Sequence, residues 1–165
     1  MNILIIYSAK YLLFVSMVIA VLYFLKQPRQ KQKEALVFAL ILFPLSYIVA
    51  KIISRFYFDP RPFVTGNFTP LIPHAPDNGF PSDHTLLGAA IAAVIFRLNK
   101  KAGLLLFFMA LFVGLARILA GVHHAADIAG SMLVVLAVYF FSLMALGGFS
   151  KRSYNIGREK KTKNV

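Results

Sequence analysis

The chain has 165 residues, of which 59% are hydrophobic, and its mean hydropathy is +0.71. This composition excludes an ordinary soluble domain, and the absence of cysteine from the sequence excludes disulfides and thiol chemistry. The formal net charge of +12 would suit a nucleic-acid-binding protein, but the basic residues lie in short segments between long apolar runs. That distribution indicates membrane lipid headgroups as partners, and no nucleic acid.

Successive apolar segments predict an all-α fold, a polytopic transmembrane helical bundle of about five spans. Because a helix rises ~1.5 Å per residue against a hydrocarbon core of ~30 Å, we expect helices over residues 3–25, 35–55, 82–97, 102–120 and 124–147. Pro44 should kink the second helix. Residues 26–34 and 98–101 are expected to be short polar connections, and residues 56–82 a long loop rich in proline, glycine and asparagine.

The basic residues also predict the orientation of the bundle. Two short connections, together with Arg97 at the edge of the second, and the C-terminal segment hold 13 of the 18 lysines and arginines, and all three lie on one side of the membrane. The positive-inside rule makes that side cytoplasmic. We therefore expect a membrane domain over residues 1–150 and a basic cytoplasmic tail over 151–165. All four histidines and four of the six acidic residues fall on the opposite side, so the chemistry is expected to be extracytoplasmic.

The polar stretch between the fourth and fifth helices carries the strongest chemical signal. Asp127 follows His123 by four residues, so one helical turn would bring its carboxylate to the imidazole. A carboxylate in that place fixes one tautomer and leaves the other ring nitrogen free to act as a base or nucleophile. Arg117 adds a planar guanidinium that suits phosphate oxygens. Mutual pairing of polar groups near a membrane surface would explain one histidine, but not the whole spacing.

Two upstream segments are predicted to reach the same face. The prolines on either side of Arg61 stiffen its backbone, which suits a fixed contact to an anion. Pro81 and Ser82 mark a helix start whose amides and hydroxyl can bind an anion, and His84 lies in its first turn. Headgroup binding by Arg61 and ordinary capping by Ser82 are the simpler interpretations of each residue alone. Together, these groups describe a phosphoryl-transfer site.

These motifs resemble the signature of the type 2 phosphatidic acid phosphatase superfamily. The matching residues are Arg61-Pro62, then Pro81-Ser82-Asp83-His84, then Arg117 followed by His123 and Asp127. Within the superfamily, residues 57–64, 71–75 and 80–85 look closely like the undecaprenyl pyrophosphate phosphatases of bacitracin resistance. The likeness covers roughly residues 35–145, and three motifs in this order and spacing are highly specific.

Three positions depart from the superfamily signature. Ser54 stands where the first motif has a lysine, and either Lys51 or Arg55 could substitute for it, or the site could function without one. Asp83 stands where the second motif has glycine, a difference that the bacitracin-resistance group shares. Ala116 replaces a serine and removes one possible phosphate donor.

The resemblance implies a two-step hydrolysis of undecaprenyl diphosphate, a polyprenyl diphosphate lipid of cell-wall synthesis, in a bacterial cell membrane without metal or cofactor. His123 would be the nucleophile and Asp127 would orient it. His84 would protonate the leaving oxygen and then activate water. The residues expected to contact the substrate phosphates are Arg61, Ser82, Arg117, Asp83, Arg55 and Lys51.

Other functions and roles stay open at this stage. A general phospholipid phosphatase acting on phosphatidate or phosphatidylglycerol phosphate would need the same residues. An ion or proton pathway also uses intramembrane histidine and aspartate, but at mid-depth rather than at helix ends. Vanadium haloperoxidases share the anion cage, yet a small membrane-spanning chain is unlike them. The small residues at 88–93 suit either a groove for a prenyl chain or close helix packing. His74 and Asp77 could contact either a second phosphate of the substrate or only water.

Overall fold

A computed structural model describes residues 2–162, with side chains described for residues 2–146. The described chain is helical, which confirms the predicted fold class. In chain order the helices are α1 (Asn2–Leu25), α2 (Arg29–Phe56), α3 (Pro62–Thr65), α4 (Asp83–Leu98), α5 (Lys100–Leu119) and α6 (Ala125–Thr162). Helix α6 runs past the end predicted near residue 147, so the boundary between a membrane domain and a basic tail stays a prediction.

Among the described residues, four helical segments are long and apolar enough to cross a membrane: α1, α2, α5 and residues Ala125–Leu146 of α6. Large apolar side chains cover their outer surfaces, as expected of helices that face lipid. The chain is therefore a multi-pass membrane protein. Helix α4 has only 16 residues, so a fifth crossing stays a prediction.

Helix α4 lies at the centre of the bundle and packs against α1, α2, α5 and α6. Its small residues contact a neighbouring helix closely at one position and line an apolar groove at others. Gly88 lies against Ala110 of α5, where an added Cβ would be only 3.0 Å from the alanine Cβ. Ala92 and Ala93 instead line an apolar groove of about 310 Å³ between α5 and α6. Small side chains let the neighbouring helices approach closely. Such close packing is important in a membrane, because lipid provides no hydrophobic force that would hold the helices together.

The predicted loop over residues 26–34 is wrong, because α2 already begins at Arg29. The side-chain amide of Gln32 donates to the carbonyl oxygens of Phe24 and Leu25 at the end of α1 and to that of Gln27 in the following turn. These carbonyls have no partner within their own helix, so the first turn of α2 satisfies them. Lysine, glutamine and glutamate are also good helix formers, which favours an early helix start.

The connection between α4 and α5 is shorter than predicted and consists of Asn99 alone. The side-chain oxygen of Asn99 accepts a hydrogen bond from the backbone of Ala102 at 3.0 Å and caps α5. Gly103 then lies directly on Phe96, where an added Cβ would be 2.2 Å from Cα of Phe96. This close approach folds α5 back along α4.

The C-terminal end of α2, the N-terminal ends of α4 and α6, and the C-terminal end of α5 come together at one end of the bundle. The long connection over residues 57–82, which contains α3, packs across that end. Its backbone is tied down there, since Leu71 donates to the carbonyl of Ala120 at 3.0 Å and Ser82 to that of Asp127 at 3.3 Å. The bundle therefore presents the polar motifs on a single surface.

Candidate active site

His123 and Asp127 form a buried hydrogen-bonded pair at the start of α6. Nδ1 of His123 is 3.0 Å from Oδ2 of Asp127, which also accepts the backbone N–H of His124 at 2.9 Å. A carboxylate can only accept, so Nδ1 carries the proton and Nε2 keeps its lone pair. The contact forms although His123 precedes the helix. The positive φ of 79° at Gly121 turns the chain out of α5 just before it.

Arg61 lies directly against the free nitrogen of His123. Its Nη1 is 3.3 Å from Nε2 of His123 and donates to the carbonyl of Val122 at 2.8 Å. Its Nε donates to Asp77 at 2.7 Å, and its Nη2 to the carbonyl of Asn78 at 3.4 Å. A guanidinium has no acceptor, which again assigns the lone pair to Nε2. Arg61 is 5% exposed, and these contacts hold its guanidinium against His123.

Arg117 approaches the same point from the last turn of α5 and is also buried. Its Nη1 donates to the carbonyl of Ala9 in α1, at 3.4 Å. Its Nε has no hydrogen-bond partner among the residues whose side chains the structure describes. A buried N–H without a hydrogen-bond partner costs free energy. This group is therefore well suited to donate a hydrogen bond to an oxygen of a bound anion.

A polar pocket of about 270 Å³ brings most of the predicted site residues together. Of those predictions, it is lined by Lys51, Arg61, Asp83, His84, Arg117 and His123. His74 and Asp77 from the long connection line it as well. Asp127 lies behind His123, fully buried, and acts on the pocket through that histidine. The three motifs, far apart in the sequence, thus share one cavity.

Ser82 stands at the N-cap position of α4 but makes no side-chain capping bond. Its hydroxyl accepts a hydrogen bond from that of Thr85 at 3.2 Å, and its carbonyl accepts one from Ser131 at 2.9 Å. The side chain is completely buried and is not among the residues that line the pocket. Direct contact of Ser82 with phosphate stays a prediction.

Asn78 organises the approach to the site, and sequence reasoning missed it. Its side-chain oxygen accepts the backbone N–H groups of Asp59 and Phe80, both at 3.0 Å. Its amide nitrogen donates to the carbonyls of Ser54 and Tyr57 at 3.0 and 2.9 Å. This one side chain thereby joins the end of α2 to the segment that leads into α4. The sequence Asp77-Asn78-Gly79 signals a turn, but not these partners.

The electrostatics of the site favour the uncharged form of His123. Burial lowers the pKa of His123, the hydrogen bond to Asp127 opposes this effect, and the charges of Arg117 and Arg61 lower the pKa further. Burial and the charge of Arg61 likewise lower the pKa of His74. Burial would raise the pKa of Asp77, but the hydrogen bond and charge of Arg61 hold it below its usual value.

Titration of the ligand-free protein should show His123 half-protonated at a pH below 6.5, the ordinary histidine value. The neutral imidazole, which is the reactive form, should therefore predominate at neutral pH. NMR of protein carrying ¹⁵N-labelled histidine measures this midpoint and also reports whether Nδ1 bears the proton. Resonances that disappear in His123→Ala assign the signal. A midpoint above 6.5 would contradict the charge balance described for the site.

The geometry of the site agrees with a comparison against known protein families. The PAP2 superfamily matches residues 34–149, which is more than half of the chain. The chain belongs to the PAP2 superfamily. The matched region contains all three motifs and every residue that lines the polar pocket.

Two curated members of this group are similar in sequence. The "Bacitracin transport permease protein BcrC" of Bacillus licheniformis is 37% identical over 136 residues, which cover 81% of this chain and 66% of that protein. The "Undecaprenyl-diphosphatase BcrC" of Bacillus subtilis (strain 168) is 43% identical over 94 residues, which cover 56% of this chain and 48% of that protein. The chain thus spans less than two thirds of the length of each relative.

Solved structures of PAP2 proteins share the fold. Aquifex aeolicus LpxE has a TM-score of 0.68 at 24% identity, with 87% of this chain and 85% of that chain covered. A transmembrane PAP2 type phosphatidylglycerolphosphate phosphatase from Bacillus subtilis has a TM-score of 0.61 at 22% identity, with 92% and 77% covered. At these identities the likeness establishes the fold alone.

The structure separates the two candidates for the lysine of the first PAP2 motif. Ser54, at the position of that lysine, lines the pocket, but its hydroxyl donates to the carbonyl of Lys51 at 3.0 Å. The amino group of Lys51 reaches the pocket, where it meets Asp83 at 3.4 Å. Arg55 does not line this pocket, although it borders a separate apolar groove on α2 that Lys51 also borders. Lys51 is therefore the cation that the structure places at the site.

One further polar cluster lies behind the PAP2 pocket. Ligand atoms of Asp59, His124 and Asp127 all lie within 4.8 Å of one another, and Nδ1 of His124 is 3.3 Å from Asp59. Among the described residues, these three are the group able to hold a metal ion. A cation bound there would draw on the carboxylate that orients His123, so its presence should alter catalysis rather than provide the nucleophile.

Proposed function

We propose that this PAP2 chain is an integral membrane lipid phosphatase that hydrolyses undecaprenyl diphosphate to undecaprenyl phosphate and phosphate. The observation that carries this proposal is His123, whose Nδ1 is held by Asp127 at 3.0 Å while Nε2 is directed at Arg61 in the pocket. A neutral imidazole with an oriented lone pair beside two buried guanidinium groups is equipped to attack phosphorus. The name of the Bacillus subtilis relative supports the choice of substrate.

In the first step, Nε2 of His123 attacks the terminal phosphorus as the bond to the bridging oxygen breaks. His84 donates a proton to that oxygen, which leaves as part of undecaprenyl phosphate. Asp127 stabilises the positive charge that the imidazole ring gains. Arg61 and Arg117 bind the oxygens on which negative charge accumulates in the transition state. The product is a phosphohistidine at position 123.

In the second step, His84 takes a proton from water, and the water oxygen attacks the phosphorus of the phosphohistidine. The phosphorus–nitrogen bond breaks, which releases phosphate and restores Nε2 of His123. The same residue therefore acts first as an acid and then as a base. A diphosphate leaves as a phosphate ester, a fairly good leaving group, so the first step depends less on His84 than on His123.

An apolar groove that begins about one turn along α4 from His84 and extends toward the opposite end of the bundle supports a lipid as the substrate. It has a volume of about 420 Å³ and is lined by side chains of α1, α2 and α4. Leu87 and Ile91 in this groove share one face of α4 with His84, at spacings of three and four residues. A prenyl chain that leaves the groove at Leu87 would end about one helical turn from His84.

A general phospholipid phosphatase is the second candidate. It would use the same pocket, and one solved structure with this fold is a phosphatidylglycerolphosphate phosphatase. An ion or proton pathway is less well supported, because the polar side chains gather at one end of the bundle, among arginines, and not along its length.

Phosphate release by the purified protein in detergent tests these candidates. We expect release from undecaprenyl diphosphate to exceed that from phosphatidate and phosphatidylglycerol phosphate, with His123→Ala as the blank. A chelator should not lower the rate, because His123 itself provides the nucleophile. Similar rates on all three lipids would favour the general phosphatase. No release from any of them would overturn the proposal.

We also infer that the site faces outward from a bacterial cell membrane, with the C-terminus in the cytoplasm. The support is the concentration of lysine and arginine at the end of the bundle opposite the site. A reporter that is active only in the cytoplasm should work when it is fused to the C-terminus. Activity confined to a reporter that works only outside the cytoplasm would overturn this orientation.

A further inference from the structure

We propose that Lys51 and Asp83 form a subsite for a second phosphate, which lets the pocket select a lipid diphosphate over a lipid monophosphate. This inference rests on the proposed function, because it assigns the inner phosphate of that substrate, the one that stays on the lipid. The superfamily motifs provide neither residue, since the first has its lysine at position 54 and the second has glycine at 83.

The two side chains meet across the pocket from different helices. Nζ of Lys51 on α2 is 3.4 Å from both carboxylate oxygens of Asp83 in the first turn of α4. Both residues line the polar pocket, and their side chains are 47% and 60% exposed. They therefore lie at its mouth, in contrast to the buried arginines. An ion pair this exposed is weak enough for a stronger anion to replace the carboxylate.

The order of the catalytic groups indicates where the inner phosphate lies. The terminal phosphorus must be within reach of His123, and the bridging oxygen within reach of His84. The inner phosphate lies on the far side of that oxygen. Asp83 directly precedes His84 in the chain and pairs with the amino group of Lys51, so Lys51 is a cation available on that side. His74 also lines the pocket, with its ring centroid 6.1 Å from that of His123.

The charges of the pocket explain how selection would work. Arg61 and Arg117 serve the terminal phosphate, which a monophosphate also has, and such a ligand leaves the pair between Lys51 and Asp83 intact. A diphosphate head carries about one more negative charge, which competes with Asp83 for the lysine. Asp83 thus stays paired with Lys51 until a ligand with a second phosphate binds. Ligands with a single phosphate do not displace Asp83 from the lysine.

The test compares Lys51→Met with Arg55→Met, which removes the same charge one turn along α2 from outside the pocket. Inorganic pyrophosphate and inorganic phosphate serve as ligands, and their affinities are measured by the thermal stabilisation that they provide. Lys51→Met should lower the affinity for pyrophosphate about tenfold and the affinity for phosphate by less than about twofold. Lys51→Arg should restore the preference for pyrophosphate over phosphate, and Arg55→Met should leave that preference unchanged. Asp83→Asn, which removes the charge paired with Lys51, should strengthen the binding of pyrophosphate.

Turnover gives a second, separable readout. For undecaprenyl diphosphate, Lys51→Met should raise KM about tenfold with little change in kcat, since the lysine binds a group that does not react. Equal weakening of both inorganic anions, or no effect on either, would overturn the subsite. A Lys51-dependent preference for pyrophosphate in a protein that releases no phosphate from any lipid would retain the subsite and overturn the proposed function.

Discussion

Replacing His123 by alanine should reduce phosphate release from undecaprenyl diphosphate by a factor on the order of 10⁴ or more. No other described side chain offers a free ring nitrogen that is oriented by a carboxylate and directed at the buried arginines. The loss should appear in kcat, because the arginines that bind the phosphate remain in place. Steady-state kinetics on the purified variant, with its thermal unfolding measured in parallel, provide the comparison.

His124→Ala is the matched control for this variant. It removes the same side chain from the adjacent position, and the backbone N–H that binds Asp127 at 2.9 Å is retained. Its loss of activity should be far smaller. If the two variants lost activity equally, the imidazole of His123 would not be the nucleophile. The same conclusion would follow if His123→Ala retained a rate within about tenfold of the unmodified protein.

Trapping the intermediate distinguishes nucleophilic attack from general-base catalysis by the same residue. Protein quenched during turnover of a substrate labelled on its terminal phosphate should carry the label in a bond that is stable to alkali and cleaved by acid, as expected of a phosphohistidine. His123→Ala should carry none. His84→Ala should accumulate label, since it lacks the base that activates water for the second step.

Asp127→Asn should lower kcat by roughly 10³- to 10⁴-fold with little change in KM. The amide is nearly the same size as the carboxylate, so the buried packing around it can persist. It lacks the charge that stabilises the imidazolium of the intermediate, and its NH₂ group can turn the ring of His123 to the wrong tautomer. The comparison with the unmodified protein uses the same phosphate-release assay.

A spectroscopic readout separates this role of Asp127 from a merely structural one. The hydrogen bond to Asp127 raises the pKa of His123 against the lowering effect of burial. Asp127→Asn should therefore move the His123 titration to still lower pH, and the ¹⁵N signals should reveal a change of tautomer. Loss of activity with an unchanged titration and tautomer would indicate that Asp127 acts on catalysis by another route.

The four long apolar helices and the contact between His123 and Asp127 can be predicted from this sequence, since both depend on local signals. Long apolar runs define the spans, and the spacing of four residues between His123 and Asp127 is enough to predict their contact. The start of α2 could not be predicted, because Gln32 satisfies carbonyls of another helix. The partners of Asn78 are similarly distant in sequence, so only the folded chain reveals them.

The choice between Lys51 and Arg55 shows the same limit more sharply. Both are basic, both lie on α2, and they differ by one helical turn, so periodicity places them on nearly the same face. Which of them reaches the pocket depends on how far α2 extends beyond the first turn of α4. That offset is set by packing along the whole interface between the two helices, and no short motif encodes it.

The bond from Arg117 to the carbonyl of Ala9 ties the anion site to the outermost part of the bundle. Helix α1 presents much of its surface to lipid, so its tilt responds to the thickness of the surrounding hydrocarbon layer. A bilayer that is too thin or too thick would shift this carbonyl and, with it, the guanidinium that the substrate must meet. If the proposed activity holds, we therefore expect the rate of turnover to depend on the acyl-chain length of the surrounding membrane.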